Sequence, residues 1–212
     1  MGWWRSQFFR WVQAAPFYEA LHQASVALAP SGEGKTWLDV GCGPGLVTRL
    51  AAERGYAACG LDTDPAMIAL ARRLATGNSA GPRFAVGNVF DPSDDDAGYD
   101  VVSATSLLAV LPDRVRALRA LRARVRPTGL LLLVEPSAHL TIANAKAYLQ
   151  RHPDTRGALV LRLWARTRRP GKAVSEEVLA LPGADVTVKP LLDGMVNAYA
   201  IRFHTTPITS YL

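Results

Sequence analysis

The sequence predicts an α/β domain built on a mostly parallel sheet with helices on both faces. From Thr36 onward, short apolar stretches alternate with stretches whose apolar residues recur at helical spacing, and this alternation is typical of parallel sheets covered by helices. A glycine-rich turn joins the first strand to the first helix of the alternation. Seven strands are predicted, at residues 36–40, 57–61, 84–86, 99–104, 130–134, 184–189 and 196–204.

The predicted helices carry apolar stripes and residues that favour helix starts. The helix after the glycine-rich turn has these apolar residues at helical spacing: Leu46, Val47, Leu50 and Ala51. Asp64 and Pro65 begin the next helix, because an acid at the N-cap and a proline at the first helical position are both favoured there. Beyond Pro112, a further helix has the predicted buried stripe Leu118, Leu121 and Val125.

Length and composition fit one domain with appendages. The chain has 212 residues, of which 49% are apolar, enough for one core but short for two ordinary domains. Cys42 and Cys59 lack any pairing or metal-ligand spacing, so we expect neither a disulfide scaffold nor a metal. No apolar run reaches the roughly 18 residues that span a bilayer, and the first residues do not resemble a signal peptide. We therefore expect a cytoplasmic protein.

Two segments lie outside the alternation of strands and helices. They are residues 1–30 and a largely helical stretch at about 137–183. Segments at the carboxyl ends of parallel strands surround the ligand crevice, so we expect both to select the substrate. The predicted organisation is an amphipathic lid helix region at 1–30, followed by the main domain at 31–212 with the helical insertion.

The glycine-rich turn has the sequence Gly41-Cys42-Gly43-Pro44-Gly45 and the spacing G-x-G-x-G. Glycines let the backbone approach a ligand closely, and the helix that follows favours an anionic group at its N-terminus. Leu46 stands where a dinucleotide fingerprint needs a small residue, which counts against NAD or FAD. Asp62, directly after the second strand, is placed to bind ribose hydroxyls. Helix capping is the alternative for Asp62 and the preferred role of Asp64.

These segments together resemble class I S-adenosylmethionine-dependent methyltransferases. The resemblance begins with residues 38–45 and 61–64, is strengthened by 87–91, 99–103 and 125–130, and covers about residues 36–136. It implies a doubly wound, mostly parallel, seven-stranded Rossmann-like sheet whose last strand is antiparallel. It also implies S-adenosylmethionine as the cofactor and a small-molecule or lipid-like acceptor of the methyl group.

The resemblance implies a cofactor site. Asp39 and the glycines hold the methionine end, Asp62 binds the ribose, and Asn88 with Val89 meets the adenine. Many family members have aspartate in place of Asn88; an amide oxygen can still accept the hydrogen bond but brings no charge. The full set of implied cofactor residues is Asp39, Gly41, Gly43, Gly45, Asp62, Thr63, Asn88, Val89 and Ser103.

Two residues are candidates for a catalytic role. Methyl transfer from a sulfonium is an in-line displacement that requires alignment and exclusion of water, and a hydroxyl acceptor usually needs a general base. His139, four residues beyond Glu135, is the candidate base, with an ordinary histidine at a helix start as the alternative. Tyr18 is the candidate lid residue, as a tyrosine is in similar enzymes; with Phe17 it could also be a simple core aromatic. Glu135 is assigned either to a helix cap or to the cofactor.

Two amphipathic segments, 3–15 and 157–169, predict either contact with a membrane surface or packing on the domain. The second places Leu159, Val160, Leu163 and Trp164 on one side and arginines on the other. The net charge of +6 favours anionic partners. The predicted function is methyl transfer to a small-molecule or lipid-like acceptor with peripheral membrane contact. The alternatives are a nucleic-acid methyltransferase, less expected, and a non-catalytic binding subunit.

Overall fold

The computed structural model describes residues 11–12, 15–75, 81–91, 98–153, 155–167, 173–174 and 183–204. Its strands are β1 Thr36–Val40, β2 Ala57–Asp62, β3 Arg83–Val86, β4 Tyr99–Thr105, β5 Val125–Pro136, β6 Ala184–Leu191 and β7 Val196–Phe203. Its helices are α1 Pro16–Val26, α2 Leu46–Glu53, α3 Pro65–Leu74, α4 Arg114–Ala123, α5 Ile142–Arg151 and α6 Ala158–Thr167.

The seven strands form one sheet in the order β3-β2-β1-β4-β5-β7-β6. Strands β1 to β5 pair in parallel, and β7 runs antiparallel to both of its neighbours, β5 and β6. The predicted mostly parallel sheet with a reversed last strand is therefore confirmed. The strand order changes direction between β1 and β4, and ligands of open α/β sheets bind at the carboxyl ends of the strands beside such a switch point.

The core occupies both faces of the sheet. Leu130 and Leu132 of β5 belong to the cluster that also includes residues of α1, α2 and α6. Leu131 and Leu133 belong to the cluster on the other face, with residues of α4. Successive side chains of a strand point to opposite faces, so a continuous apolar run such as 130–134 fits a strand buried on both sides.

Strand β5 begins earlier than predicted. The spacing predicts Val125 in the buried stripe of a helix, but α4 ends at Ala123 and Val125 pairs with Tyr99 of β4. The register then shifts, and the regular pairing resumes at Val101 and Leu130. Val125 is buried because it packs as a strand residue, so helical spacing from Leu118 and Leu121 was misleading there.

The second amphipathic segment packs on the domain through a different face from the predicted one. In α6 the buried residues are Val160, Leu161, Trp164 and Ala165, while Leu159 is 63% exposed. The Trp164 ring lies 6.4 Å from Phe17 and 5.7 Å from Tyr18 between centroids, so α6 packs against α1. Most of the first segment, including residues 3–10, lies outside the described residues.

The described helices are short. The longest is α1, with 11 residues, against about 20 for a bilayer-spanning helix, and none in the described ranges is long and apolar enough to cross a membrane. No three His, Cys, Asp or Glu side chains within the same ranges are grouped so that they could hold a metal ion. The two cysteines are free, with Cys42 buried and Cys59 half-buried.

Candidate active site

The glycine-rich turn lies at the carboxyl end of β1, beside the switch point. Gly41, Gly43 and Gly45 have φ angles of 70°, 53° and 78°, the left-handed region that favours glycine. The backbone N–H groups of Gly41 and Cys42 both donate to the carbonyl of Leu61, at 2.7 and 3.1 Å. The turn is thereby tied to the end of β2, and α2 begins directly after it.

Asp62 connects this turn to the segment that follows β2. It is the last residue of β2 and is half-buried. Its Oδ2 accepts a hydrogen bond from the Gly43 N–H at 2.8 Å, and its Oδ1 accepts one from the Asp64 N–H at 2.9 Å. Thr63 beside it is exposed. The Asp64 side chain accepts from the Ala66 N–H at 2.9 Å, so its predicted role as the cap of α3 is confirmed.

Asp39 is a buried carboxylate within β1. It is 1% exposed, and its two oxygens accept hydrogen bonds from the hydroxyls of Thr48 and Ser103, each at 2.8 Å. Ser103 in turn accepts from the Trp37 indole N–H at 2.8 Å. Burial raises the pKa of Asp39 to about 6, and the Asp62 charge adds to that rise, while the two hydroxyls oppose it. Sequence reasoning missed Trp37 and Thr48; a threonine within an apolar helical stripe was the available signal.

The predicted adenine-contacting turn follows β3. Asn88 is half-buried and Val89 is 6% exposed. The Asn88 side-chain oxygen accepts a hydrogen bond from the Phe90 N–H at 3.1 Å, and the Asn88 N–H donates to Asp91 Oδ2 at 2.8 Å. These bonds close the turn on itself. The oxygen that the resemblance assigns to adenine therefore already has one backbone donor, with a second lone pair left over.

A cleft opens between α1 and the glycine-rich turn. Its lining residues are Tyr18, His22, Asp39, Gly41, Cys42, Leu46, Val47 and Thr105. Three of the predicted site residues thus meet here: Tyr18 from α1, and Asp39 and Gly41 from β1 and the turn. Burial raises the pKa of the Cys42 thiol well above its ordinary value, so this cysteine stays protonated and is not a nucleophile at neutral pH.

Sequence reasoning passed over two residues that line the cleft, His22 and Thr105. His22 is fully buried, and its ring lies 4.4 Å from that of Tyr18. The two ring nitrogens of His22 have no hydrogen-bond partner among the described residues, and the same holds for the Thr105 hydroxyl. Burial lowers the pKa of His22 to about 3, so the imidazole is neutral at pH 7. The signal in the sequence was the spacing of four residues from Tyr18, which places both on one helix face.

The segment after β4 is fixed by Glu135. This glutamate is fully buried near the end of β5, and its carboxylate accepts hydrogen bonds from the N–H groups of Leu108 and Ala109, at 2.9 and 3.3 Å. Leu107 of the same segment packs against Gly41, where a Cβ would lie 3.0 Å from Leu107 Cδ1. Glu135 therefore anchors the loop that borders the glycine-rich turn, and the N–H groups that it holds belong to a turn rather than to the start of a helix.

His139 does not belong to this cleft. It is exposed in the turn between β5 and α5. Its N–H donates to Ser137 Oγ at 3.0 Å, and its carbonyl accepts from the Asn144 side chain at 2.8 Å. These bonds hold the backbone of the turn, and the cleft geometry gives no support to His139 as the base.

The features of the cleft fit the cofactor that the resemblance implies. The left-handed glycines bring backbone to the cleft, and Gly45, at the N-cap of α2, provides no side-chain cap hydrogen bond. A helix start of this kind favours an anionic group. His22 and Thr105 add buried polar atoms that have no hydrogen-bond partner among the described residues. Sheet order and glycine-rich turn together define a class I S-adenosylmethionine-dependent methyltransferase.

Comparison with known proteins agrees with this class. Residues 9–172 match the model of a family described as a methyltransferase domain. This range is more than half of the chain, and the chain therefore belongs to the methyltransferase-domain family. The predicted family, enzyme class and cofactor are confirmed at this level.

Curated relatives match over part of their length. The ubiquinone biosynthesis O-methyltransferase of Pseudomonas paraeruginosa is 32% identical over 117 residues, which are 55% of this chain and 48% of the relative. The protein of the same name from Vibrio campbellii is 30% identical over 128 residues, 57% of this chain and 54% of the relative. The chain thus spans about half the length of these curated relatives.

Solved structures share the fold. An S-adenosylmethionine-dependent methyltransferase from Mesorhizobium loti has a TM-score of 0.61 at 20% identity, covering 90% of this chain and 99% of that one. The magnesium protoporphyrin IX methyltransferase of Synechocystis PCC 6803, solved with bound S-adenosylhomocysteine (SAH), has a TM-score of 0.63 at 16% identity, covering 92% and 93%. At these identities the likeness concerns the fold alone.

Proposed function

We propose that this chain transfers a methyl group from S-adenosylmethionine to an oxygen atom of a small-molecule or lipid-like acceptor. The observation that carries the proposal is the cleft at the β1–β4 switch point, where the glycine-rich turn meets the buried Asp39 and the buried hydroxyl of Thr105. The choice of oxygen is supported by the curated relatives, which are named O-methyltransferases.

Three groups of residues would bind the three parts of the cofactor. The glycine-rich turn and Asp39 would hold the methionyl part, Asp62 the ribose, and the turn at 88–89 the adenine. Asp62 is suited to this because its carboxylate accepts the Gly43 N–H, which holds it beside the glycine-rich turn. When bound, the cofactor supplies an electrophilic methyl group on a sulfonium. An in-line displacement of that kind needs no covalent nucleophile from the protein, only alignment and a dry site.

We assign the covering of the cleft to the region 1–30 and the choice of acceptor to that region together with the insertion at 137–183. Tyr18 of α1 lines the cleft and packs on Trp164 of α6. The two segments therefore meet at Tyr18, which lines the cleft. Their contact supports a lid role for Tyr18.

Peripheral membrane contact is the finer part of the proposal. It is supported by the exposure of Trp11, which is 42%, beside the buried Val12, and by the net charge of +6. Trp11→Ala should reduce sedimentation of the full chain with anionic vesicles, and Leu74→Ala, at an exposed apolar position of α3 outside both amphipathic segments, serves as the matched apolar control. Equal sedimentation of wild type and Trp11→Ala would argue against this contact.

The proposal is tested by following SAH production across acceptor classes. The full chain would be incubated with S-adenosylmethionine and separate panels of phenols, hydroxylated lipids, amines, thiols and RNA, each with and without liposomes. Production of SAH with a hydroxyl-bearing small molecule or lipid is expected. Turnover with RNA alone, which should then fall steeply with salt, would contradict the proposed acceptor class.

A further inference from the structure

The cleft contains two buried polar groups that have no partner among the described residues. They are the imidazole of His22, from α1, and the hydroxyl of Thr105, from β4. A buried donor or acceptor that is left unsatisfied destabilises a fold, and such groups in native proteins call for an explanation. Two of them on the wall of one cleft indicate that a ligand supplies the missing hydrogen bonds.

Thr105 is placed by the sheet. It is the last residue of β4 and follows Ala104, which pairs with Val40 of β1. The parallel register therefore brings Thr105 level with Gly41, at the switch point where ligands bind. Its hydroxyl is positioned by the backbone of a central strand, which is a rigid support for a binding group.

His22 is placed by the packing of helices. It lies one helical turn after Tyr18, with 4.4 Å between the ring centroids, and Tyr18 packs against Trp164 of α6. The other titratable groups that line the cleft are Tyr18, Asp39 and Cys42. The imidazole is neutral in this apolar environment, so it offers one N–H donor and one acceptor nitrogen.

The chemistry of the cleft fits an amino-acid end group. The N–H of His22 and the hydroxyl of Thr105 can donate to a carboxylate, and the start of α2 at Leu46 and Val47 favours the same charge. The carboxylate of Asp39, on the same wall, would attract an ammonium group. A ligand with a carboxylate and an ammonium on one carbon would pair with the two donors and the helix start through its carboxylate, and with Asp39 through its ammonium.

We propose that His22 and Thr105 bind the aminocarboxylate of the cofactor's methionyl end, with both side chains donating to its carboxylate. This inference rests on the proposed function, because it assumes that the cleft receives S-adenosylmethionine. The two residues then act as binding residues for the cofactor rather than as a general base for the acceptor.

The test compares two ligands by isothermal titration calorimetry with the full chain. SAH carries the aminocarboxylate, and 5′-methylthioadenosine has the same adenosine and thioether sulfur without it. His22→Phe and Thr105→Val, which keep the side-chain shape, should each weaken SAH binding by about tenfold or more, as loss of a hydrogen bond to a charged group does. Binding of 5′-methylthioadenosine should change by less than about twofold.

The chain offers a matched control in the pair formed by Tyr148 of α5 and His152 directly after that helix, whose ring centroids also lie 4.4 Å apart. His152→Phe should leave both affinities at the wild-type value. Unchanged SAH binding by His22→Phe and Thr105→Val would overturn the inference, and so would an equal loss of both ligands, which would indicate a general disturbance of the site. A wild-type chain that binds neither ligand would contradict the proposed function itself and the inference with it.

Discussion

The Ser103 hydroxyl donates a 2.8 Å hydrogen bond to the buried carboxylate of Asp39, and the two residues are register partners in the β1–β4 pair. Ser103 also accepts from the Trp37 indole. The Ser103 hydroxyl is therefore both a donor and an acceptor of hydrogen bonds within the protein. We infer that Ser103, predicted to bind the cofactor, acts by positioning Asp39 at the switch point.

Ser103→Ala should lower the free energy of unfolding by about 1–3 kcal/mol, because it leaves the Trp37 N–H and one Asp39 oxygen without their partner inside the core. The hydroxyl of Ser103 lowers the pKa of Asp39, so its removal should raise that pKa further. Urea unfolding at pH 7 measures the stability, and Ser31→Ala, at an exposed position, is the control. Equal stability of the two variants would show that the network contributes nothing.

Gly45→Ala should destabilise the fold more than an ordinary substitution at a positive φ. A Cβ at Gly45 would lie 2.5 Å from Phe84 Cε1, and the φ angle is 78°. Gly34 has a φ of 68° with nothing within 4 Å of the added Cβ, so Gly34→Ala isolates the backbone strain, about 1 kcal/mol. We expect Gly45→Ala to lower the free energy of unfolding by at least about 1 kcal/mol more than Gly34→Ala does, as measured by urea unfolding. Equal losses would mean that the ring moves aside freely.

The buried His22 should make stability depend on pH in a defined window. Above pH 6.5 the histidine is neutral in both the folded and the unfolded chain. Below that, it takes up a proton only on unfolding, because its pKa in the fold is about 3. Its contribution to the free energy of unfolding should therefore fall by about 1.4 kcal/mol per pH unit between pH 6.5 and 3.

The effect is measured as the stability difference between wild type and His22→Phe at pH 7 and pH 5. The pKa of Asp39 in the fold is about 6, so Asp39 acts in the opposite sense below pH 6: the folded chain takes up its proton first. Since both proteins contain Asp39, the difference removes this effect. The variant should gain about 2 kcal/mol relative to wild type at pH 5. A difference that does not change with pH would contradict the buried neutral imidazole.

The elements that depend on local pattern were predictable from the sequence. Strand alternation, the glycine-rich turn and Asp64 as a helix cap each follow from the chemistry of neighbouring residues, and the structure agrees. Asp62 was placed just after its strand and is instead the last residue of β2. This difference of one residue does not change the predicted position of the Asp62 side chain beside the glycine-rich turn, because the end of β2 and the turn are hydrogen-bonded to each other.

The features that depend on distant packing were not predictable. His22 is buried beside Tyr18, which packs on Trp164. Trp164 lies 142 residues after His22 in the sequence, and no spacing within α1 reveals that partner. Leu159 appeared to share a face with Trp164 but is exposed, because α6 presents Leu161 and Ala165 to the core instead. Thr105 needed the parallel register of β1 and β4 to be placed beside Gly41.

The most direct test of the account is calorimetric titration of the full chain with SAH, comparing Asp62→Ala with Asp64→Ala. Both variants remove a carboxylate from the same loop, but only Asp62 holds the Gly43 N–H, whereas Asp64 caps α3. Asp64→Ala should cost about 1 kcal/mol of stability and keep wild-type affinity. Asp62→Ala should weaken SAH binding by about tenfold or more; unchanged affinity in Asp62→Ala would contradict the assignment of this cleft to the cofactor.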